Sequence, residues 1–319
     1  MIRRPPARIA LALLIALSGV ALVTVLLGGC GGGGAGGQTA AGSGPARGGG
    51  AASHEPVIVA AGDIASCSTS ADDDTARLVA RTPGTVAALG DDAYPSGSPS
   101  QYKDCYGPTW GRFKGRTRPA PGNHEYISSP RAAGYFGYFG AAAGGRDGWY
   151  SYEVSGWHMV VLNSNCAFVG GCDAGSRQAK WLRADLAAHP ARCTLAYWHH
   201  PRFSSGERHG DSPFMAPLWQ ILYDAGADVV LSGHDHGYER FAPKTASGRV
   251  DRAHGIREFV VGTGGAGLYP FNPPEHGSER RQTGTYGVLK LSLTGSGYSW
   301  RFLRAAGKPF SDSGSGRCH

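Results

Sequence analysis

Residues 233–240 read Gly-His-Asp-His-Gly-Tyr-Glu-Arg and follow, after one serine, the short apolar run Val229–Leu231. A continuous apolar run of this length is typical of a strand that is buried on both faces of its sheet. His234 and His236 therefore lie just beyond the end of a predicted strand. Since ligand groups in α/β folds collect beyond the carboxyl ends of strands, this segment predicts part of a functional site.

Four further clusters of polar side chains occur along the chain, and most of them also follow apolar runs. They are Asp63 after Val57–Ala61, Asp91 and Tyr94 after Val86–Leu89, Asn123-His124-Glu125, and His199-His200 after Leu195–Trp198. One such cluster alone is more often structural, because an aspartate after a glycine is usually a turn residue or a helix cap. Together the clusters offer Asp, Asn, His and Tyr side chains without a thiolate, a set that suits harder cations. We therefore predict a metal centre.

Apolar runs of strand length recur from Val57 onward, and segments with a helical pattern lie between several of them. The predicted helices are Asp72–Arg81, Arg177–His189 with Ser176 as its N-cap, and Ser212–Asp224. Hairpins are predicted through Ser155-Gly156 and, near the end of the chain, between residues 293 and 298. This mixture predicts an α/β fold with two sheets and with helices outside them.

Taken in order, the motifs GD, GDxxY, GNHE, HxP and GHxH resemble those of the calcineurin-like metallophosphoesterases, over about residues 57–265. Within that superfamily they resemble the purple acid phosphatases. Many relatives carry a metal-binding histidine where this chain has Ala65, whereas the purple acid phosphatases supply the tyrosine of GDxxY, here Tyr94. They usually have glycine at the position of Ala65, a small change that should leave metal binding intact. The resemblance implies a two-sheet β-sandwich flanked by helices in four layers, with a dinuclear metal site at strand C-terminal ends.

Carried over residue by residue, the resemblance implies two metal sites that share one carboxylate. The first metal would be held by Asp63, Asp91, Tyr94 and His236. The second would be held by Asn123, His199, His234 and the bridging Asp91. The resemblance implies Fe(III) in the first site and Zn, Mn or Fe in the second. The donors agree, because a tyrosinate with carboxylates suits a trivalent ion, and an amide oxygen with imidazoles suits a softer divalent one.

The implied reaction is the hydrolysis of phosphate monoesters at mildly acidic pH, by in-line attack of a metal-bound hydroxide on phosphorus. His124 is not among the implied ligands, so it can bind the phosphate or protonate the leaving group. His209 is a second candidate acid, and Glu125 is predicted to orient His124. The residues predicted to bind substrate are Asn123, His124, His200 and His209, and a structural role for His200 stays open.

Two other functions stay open at this point. The same centre could cleave phosphodiesters, or the fold could serve as a non-catalytic, metal-bound surface-binding module. The formal net charge is +7, and it is +4 without the three arginines of residues 1–29, a modest surplus that suits anionic substrates or anionic surfaces without choosing between them. With 41% hydrophobic and 17% charged residues, the composition excludes a disordered polyelectrolyte.

The first part of the chain predicts export and a lipid anchor. Three arginines precede the uncharged run Ile9–Leu27, and Gly28-Gly29-Cys30 follows, which resembles the lipobox of bacterial lipoproteins. We predict a signal peptide over residues 1–29, Cys30 as the lipidated mature N-terminus, a Gly-rich tether over 30–53 and a catalytic domain over 54–319. The protein would then be a cell-envelope lipoprotein that meets the membrane through its N-terminus. Ordinary secretion and an uncleaved membrane anchor are the alternatives.

Six cysteines remain beyond Cys30, an even number that suggests disulfides in an exported chain. Cys166–Cys172 closes a short loop and is the most plausible local pair. Cys67–Cys105 and Cys193–Cys318 would complete the set, although six cysteines allow fifteen pairings. No C-x-x-C spacing occurs, so a cysteine metal site is not indicated.

Two further patterns are poor candidates for binding sites. Gly262–Gly267 matches the G-x-G-x-x-G dinucleotide fingerprint, but the Pro-rich sequence after it cannot form the helix that the fingerprint requires. We predict a tight loop that borders the metal site, and no nucleotide cofactor. The basic run Arg112–Arg118 could contact nucleic acid, but such a run is more often the solvated face of an irregular strand. No nucleic-acid partner is therefore predicted.

Overall fold

The computed structural model describes residues 55–319, so the predicted signal peptide, Cys30 and the tether lie outside the described residues. In chain order, the described strands are β1 Val57–Ala61, β2 Ala65–Ser66, β3 Thr85–Ala88, β4 Ala93–Tyr94, β5 Thr117–Pro119, β6 Tyr150–Val154, β7 Trp157–Val161, β8 Cys193–Tyr197, β9 Val229–Ser232, β10 Tyr238–Phe241, β11 Arg257–Val261, β12 Ser278–Gln282, β13 Thr285–Thr294, β14 Gly297–Gly307 and β15 Ser313–Arg317. The α-helices are α1 Ala71–Ala80, α2 Pro99–Gln101, α3 Ala133–Phe139, α4 Cys166–Val169, α5 Arg177–Ala188 and α6 Ala216–Asp224. Between residues 55 and 319, no helix is long and apolar enough to cross a membrane.

Two mixed sheets form the body of the fold, and the short strands β2 and β4 pair separately. The first sheet has the order β15-β14-β13-β1-β3-β5, in which β1, β3 and β5 are parallel. The second has the order β12-β10-β11-β9-β8-β7-β6, in which β7, β8, β9 and β11 are parallel. Because parallel strands end at the same edge of their sheet, the loops after β1 and β3 lie together in the first sheet, and those after β8, β9 and β11 lie together in the second. The Gly62 N–H, which follows β1, donates to Val261 O at the end of β11, so the two edges meet.

The inner strands β7, β8, β9 and β11 of the second sheet are buried on both faces, because alternate side chains enter two different cores. Leu195 and Tyr197 of β8 pack in one core with strands of both sheets. Ala196 and Trp198 pack in another core with side chains of α5 and α6. On the first sheet, α1 packs against β13 and β14. The predicted two-sheet sandwich flanked by helices is therefore confirmed.

The predicted helices are present, with shifted ends. The Ser176 side chain accepts a hydrogen bond from the Ala179 N–H at the start of α5, which confirms the predicted N-cap. The third predicted helix is divided into a 3₁₀ turn, Pro213–Met215, and α6. Both predicted hairpins are present as β6–β7 and β13–β14.

The prediction of an irregular strand for the basic run was wrong over most of its length. Residues Trp110–Arg116 form a 3₁₀ helix, and only the short strand β5 follows it. The guanidinium of Arg116 turns inward and donates to the carbonyl oxygens of Val79 and Gly84, at 2.7 and 2.5 Å. This run therefore does not present one continuous basic face.

The structure contains the three disulfides that were predicted: Cys67–Cys105, Cys166–Cys172 and Cys193–Cys318. The second closes the loop around α4, and the third ties the start of β8 to the C-terminal segment. The first two lie near predicted ligands, because Cys67 and Cys105 line a cavity with Tyr94, and Cys166 lines another with Asn123.

Candidate metal centre

Three of the predicted ligands lie on sharp turns that come directly after strands. Asp63 follows β1, Asp91 follows β3 and His234 follows β9, and a glycine precedes each of them. Their φ angles are 59°, 52° and 71°, in the left-handed region that residues other than glycine rarely adopt. Such strained positions persist where the surrounding structure over-determines them, and they cluster at functional sites.

Two glycines allow the Asp91 turn to approach its neighbours closely. Gly90 has a φ of 87°, and a Cβ there would lie 2.8 Å from His199 Nδ1. A Cβ on Gly122 would overlap the Asp91 carboxylate. The glycines of the GD and GN motifs therefore serve close packing between loops, which brings Asp91 next to Asn123.

A first cluster of donor atoms converges on the Tyr94 hydroxyl. This oxygen lies 2.9 Å from Asp63 Oδ1, 3.0 Å from Asp91 Oδ2 and 3.0 Å from His236 Nε2. His236 Nε2 lies 3.2 Å from Asp63 Oδ1. All four side chains are buried. These are the four residues that the sequence predicted for the first metal.

A second cluster converges on His199 Nε2. This nitrogen lies 3.1 Å from Asn123 Oδ1, 3.1 Å from His234 Nδ1 and 3.2 Å from Asp91 Oδ2. Asp91, His199 and His234 are close enough together to hold one metal ion. Asp91 Oδ2 faces both clusters, so the structure brings together the seven side chains predicted as ligands around one shared oxygen.

Hydrogen bonds behind the clusters determine which atoms face inward. His199 Nδ1 lies 2.9 Å from Leu89 O, and His236 Nδ1 contacts Gly267 O. In the neutral rings these nitrogens carry the proton, so Nε2 of each ring directs a lone pair at the oxygens of its cluster. Lone pairs that face one another across about 3 Å need a positive charge between them, which either a proton or a metal ion supplies. The donor set therefore fits a pair of metal ions.

Each carboxylate divides its two oxygens between the backbone and the clusters. Asp63 Oδ2 accepts a hydrogen bond from the His234 N–H at 2.8 Å. Asp91 Oδ1 accepts one from the His124 N–H, also at 2.8 Å. The other oxygen of each carboxylate is then left for the cluster, so folding itself orients both groups.

The electrostatics of the first cluster also favour a cation. Burial raises the pKa of the Tyr94 hydroxyl well above its usual value, and the charges of Asp63 and Asp91 raise it further. Burial also opposes ionisation of Asp91, but the adjacent His199, together with His124 and His234, outweighs burial and holds the pKa of that carboxyl below its usual range. A tyrosinate can form beside these carboxylates only if a metal ion offsets the repulsion between the three negative charges.

In the second cluster, a proton and a metal ion compete for the same nitrogen. Burial lowers the pKa of His199, but the Asp91 carboxylate outweighs burial and raises this pKa to about 10. Metal binding to Nε2 would release that proton. A positive charge therefore lies at His199 Nε2 whether a proton or a metal ion is bound there.

His124 lies at the rim of both clusters. Its Nδ1 lies 2.6 Å from Pro95 O, and its Nε2 lies 3.7 Å from Asp91 Oδ2. The side chain is 27% exposed, in contrast to the buried ligands of the first cluster. Nε2 of His124 is therefore open to a bound molecule.

The prediction that Glu125 orients His124 was wrong. The hydrogen bonds that Glu125 accepts come from the backbone N–H groups of Asp91, Asp92 and Gly122 and from the hydroxyl of Tyr102. Buried N–H groups need acceptors, whereas the His124 ring already has one in Pro95 O. Glu125 therefore holds the turn that carries Asp91.

His200 and His209 both adjoin the second cluster. The His200 ring lies 4.3 Å from the His234 ring, and its Nδ1 lies 2.7 Å from Ser164 Oγ. Burial and the neighbouring His199 lower the pKa of His200 to about 3. The His209 ring is exposed and lies 4.0 Å from the His234 ring. His209 thus covers the cluster from the solvent side.

The loop Gly262–Gly267 borders the site, and no helix begins in it. Its backbone N–H groups at Gly264 and Ala266 donate to Gly62 O and Asp63 O. The prediction of a tight loop beside the metal site is therefore confirmed.

Two residues at the site were missed by the sequence analysis. The Tyr269 ring stacks on the His236 ring with 3.9 Å between centroids. The guanidinium of Arg208 lies 3.9 Å from the Tyr269 ring centroid. Because His236 covers one face of that ring, Arg208 covers the other. Tyr269 could have been found, since it closely follows the loop that was predicted to border the site.

A two-sheet α/β body with Asp, Asn, His and Tyr donors at strand ends defines a metallophosphoesterase. The chain belongs to the calcineurin-like phosphoesterase family, whose profile matches residues 54–238. This family membership agrees with the resemblance seen in the motifs.

Purple acid phosphatases are prominent among the relatives. Purple acid phosphatase 22 of Arabidopsis thaliana is 33% identical over 166 residues, which cover 49% of this chain and 37% of that protein. Purple acid phosphatase 18 of the same plant is 30% identical over 189 residues, covering 53% of this chain and 42% of that protein. The chain thus spans less than half the length of these curated relatives.

Solved structures share the fold. Purple acid phosphatase PPD1 from yellow lupin (Lupinus luteus) seeds aligns with a TM-score of 0.62 at 20% identity, over 82% of this chain and 53% of that one. GAP50, the anchor in the inner membrane complex of Plasmodium, aligns with a TM-score of 0.61 at 16% identity, over 81% of this chain and 88% of that one. At these identities the likeness concerns the fold alone.

Proposed function

We propose that this protein is a metal-dependent phosphatase that hydrolyses phosphate monoesters. The observation that carries the proposal is the position of Asp91 Oδ2, 3.0 Å from the Tyr94 hydroxyl and 3.2 Å from His199 Nε2. One oxygen shared by two donor clusters is the arrangement that a dinuclear centre needs. Two metal ions held there would polarise a phosphate and lower the pKa of a bound water. The similarity to plant purple acid phosphatases supports the choice of a monoester.

His124 is the proposed general acid. Because Pro95 O engages Nδ1, the protonated ring keeps its Nε2–H free for the oxygen of the leaving group. In the overall reaction the oxygen of water bonds to phosphorus, the ester P–O bond breaks, and the departing alkoxide takes the proton. His209 is the second candidate acid. We propose that Asn123, His124, His200 and His209 bind the phosphate.

The proposed metals follow from the chemistry of the two donor sets. The first set combines a phenol oxygen, two carboxylates and one imidazole, which suits Fe(III). The second set adds an amide oxygen and two imidazoles to the shared carboxylate, which suits Zn, Mn or Fe in the divalent state.

The substrate preference is tested with a matched pair of chromogenic esters. Purified full-length protein loaded with iron and zinc should hydrolyse 4-nitrophenyl phosphate with a kcat/KM about tenfold or more above that for bis(4-nitrophenyl) phosphate, because the dianion makes one more charge-assisted contact. Release of nitrophenolate at mildly acidic pH measures both. A preference for the bis-ester would identify a phosphodiesterase. A metal-loaded protein that hydrolyses neither, nor a wider ester panel, would identify a non-catalytic binding module.

We also propose that the chain is exported and lipidated at Cys30, with residues 54–319 as its catalytic domain. The signal pattern of residues 1–29 and the cysteine that follows it support this proposal. The disulfides Cys67–Cys105, Cys166–Cys172 and Cys193–Cys318 support it as well, because disulfides persist in oxidising compartments outside the cytoplasm.

Cys30→Ala should move the protein from the membrane fraction to the soluble fraction of a bacterial host that processes lipoproteins. The reason is that the substitution removes the sulfur that would carry the lipid. Immunoblots of washed membranes and of supernatants measure the distribution, with Ser43→Ala in the same Gly-rich segment as the control. A Cys30→Ala protein that stays with the membranes would instead indicate an uncleaved helix.

A further inference from the structure

A cavity of about 360 Å³ opens directly beside the second donor cluster. Its lining includes Asn123 and His200 from the site, together with Ser164, Asn165, Cys166, Ala167, Phe168 and Phe214. The volume lies within the range of about 300–1,000 Å³ that is usual for small-molecule sites. Since Asn123 belongs to the second cluster, a phosphate held there has this cavity as the neighbouring space for its ester group.

The apolar character of the cavity wall is unusual for the surface of this protein. Among residues 55–319, the large apolar side chains that are exposed are Ile127, Phe168 and Phe214, at 60%, 51% and 45%. Phe168 and Phe214 both line the cavity. Scattered exposed apolar residues need no explanation, but two aromatic rings in the wall of one concave site mark a place where a ligand binds.

The Phe168 ring is held in position before any ligand arrives. The Phe168 ring stacks on Tyr126 with 4.5 Å between centroids, and Asn163 Nδ2 donates to the buried Tyr126 hydroxyl at 2.8 Å. The disulfide Cys166–Cys172 closes the same loop. A rigid aromatic wall binds a flat apolar group at a low cost in conformational entropy.

The opposite wall is tied to the site itself. Phe214 lies in the 3₁₀ turn Pro213–Met215, and its ring meets the His200 ring edge-on at 5.7 Å. None of the residues that line the cavity is Asp, Glu, Lys or Arg. A second phosphate would therefore find no charged side chain to bind here, whereas an aromatic group would stack on these rings or make edge contacts with them.

We propose that this cavity is the leaving-group subsite, and that the preferred substrates are phosphate esters of aromatic alcohols. This inference rests on the proposed phosphatase function. It goes further by naming the chemical class of the alcohol that the ester releases. Phe168 and Phe214 are then specificity-determining residues that bind the ester group while the donor clusters bind the phosphate. The phosphate esters of small polar alcohols would be hydrolysed without help from either ring.

The test compares two substrates across single variants of the metal-loaded full-length protein. Phe168→Ala and Phe214→Ala should each lower kcat/KM for 2-naphthyl phosphate about five- to tenfold, while kcat/KM for glycerol 2-phosphate changes by less than about twofold. Ile127→Ala is the matched control, because it removes another exposed large apolar side chain, one that does not line the cavity. Both substrates should be unaffected by it. An unchanged substrate ratio in both phenylalanine variants would overturn the inference.

A binding measurement separates this inference from the proposed function. The fluorescence of 2-naphthol reports its binding to the protein with and without metal, and the affinity should fall in both phenylalanine variants. If no ester is hydrolysed but this phenylalanine-dependent binding is present, the phosphatase proposal fails and the aromatic subsite stands. If the variants lose binding to anionic lipid vesicles and keep the wild-type substrate ratio, the rings serve membrane contact and the inference is wrong.

Discussion

Asp91→Ala should abolish phosphatase activity and empty both metal positions. Asp91 Oδ2 lies within 3.2 Å of a donor atom from each cluster, so its loss removes a ligand from both metals at once. We expect kcat/KM to fall by at least about 10³-fold, since catalysis in a dinuclear centre depends on both ions together. Metal analysis of the purified variant should find well below one ion per chain. The assay is the release of nitrophenolate from 4-nitrophenyl phosphate.

The control for this experiment is another buried carboxylate that lies among histidines. Asp185 on α5 lies 2.8 Å from His158 Nε2 and 3.4 Å from His189 Nδ1. Asp185→Ala removes the same group from a comparable environment outside the donor clusters, so it lowers stability but should preserve activity. Equal inactivation of both variants would mean that any buried carboxylate is needed for folding, and would contradict a specific role for Asp91.

His124→Ala provides the complementary comparison. Because His124 adjoins the clusters without completing either, its removal should leave the metal content unchanged. Activity should still fall by about 10²-fold, the usual contribution of a general acid. Loss of metal from His124→Ala would instead indicate that His124 is a metal ligand. It would contradict the assignment of His124 as the general acid.

The ligand positions could be predicted from sequence because they depend on local features. A buried strand, a glycine and a polar residue on the following turn are read from a few neighbouring letters, as at Asp63, Asp91 and His234. The parallel arrangement of the strands then brings these turns together. The short spacing of Cys166 and Cys172 is a local feature of the same kind.

Contacts between distant loops could not be predicted in this way. Arg208 meets Tyr269, and Tyr126 meets Phe168, only because separate loops converge above the sheets. Glu125 was assigned the wrong partner because the need of buried backbone N–H groups for an acceptor is not visible in the sequence.

Two edge strands were missed for a different reason. β12 and β15 have no buried residue and contain no apolar run, since one reads SERRQ and the other SGSGR. They are strands because their backbones pair with β10 and β14. A pattern search that relies on side-chain burial cannot find strands that are stabilised mainly by main-chain hydrogen bonds.

Tyr94→Phe should remove the colour of the oxidised, metal-loaded protein. A tyrosinate bound to Fe(III) gives a charge-transfer band in the visible range, and the Tyr94 hydroxyl is the phenol oxygen within 3.0 Å of Asp63, Asp91 and His236 in the first cluster. The substitution keeps the ring and removes only that oxygen. The visible spectrum, recorded together with metal analysis, should show a purple or pink wild type and a colourless variant.

Tyr102→Phe is the matched control for the loss of colour, because the Tyr102 hydroxyl is buried nearby but binds Glu125 at 3.1 Å. Its spectrum should equal that of the wild type. A band that persists in Tyr94→Phe would make another tyrosine the ligand, with Tyr269 against His236 as the nearest candidate. A colourless wild type that holds only Zn or Mn would keep the phosphatase and remove iron. A wild type that binds no metal at all would contradict the proposed centre, since protons alone would then hold the two donor clusters together.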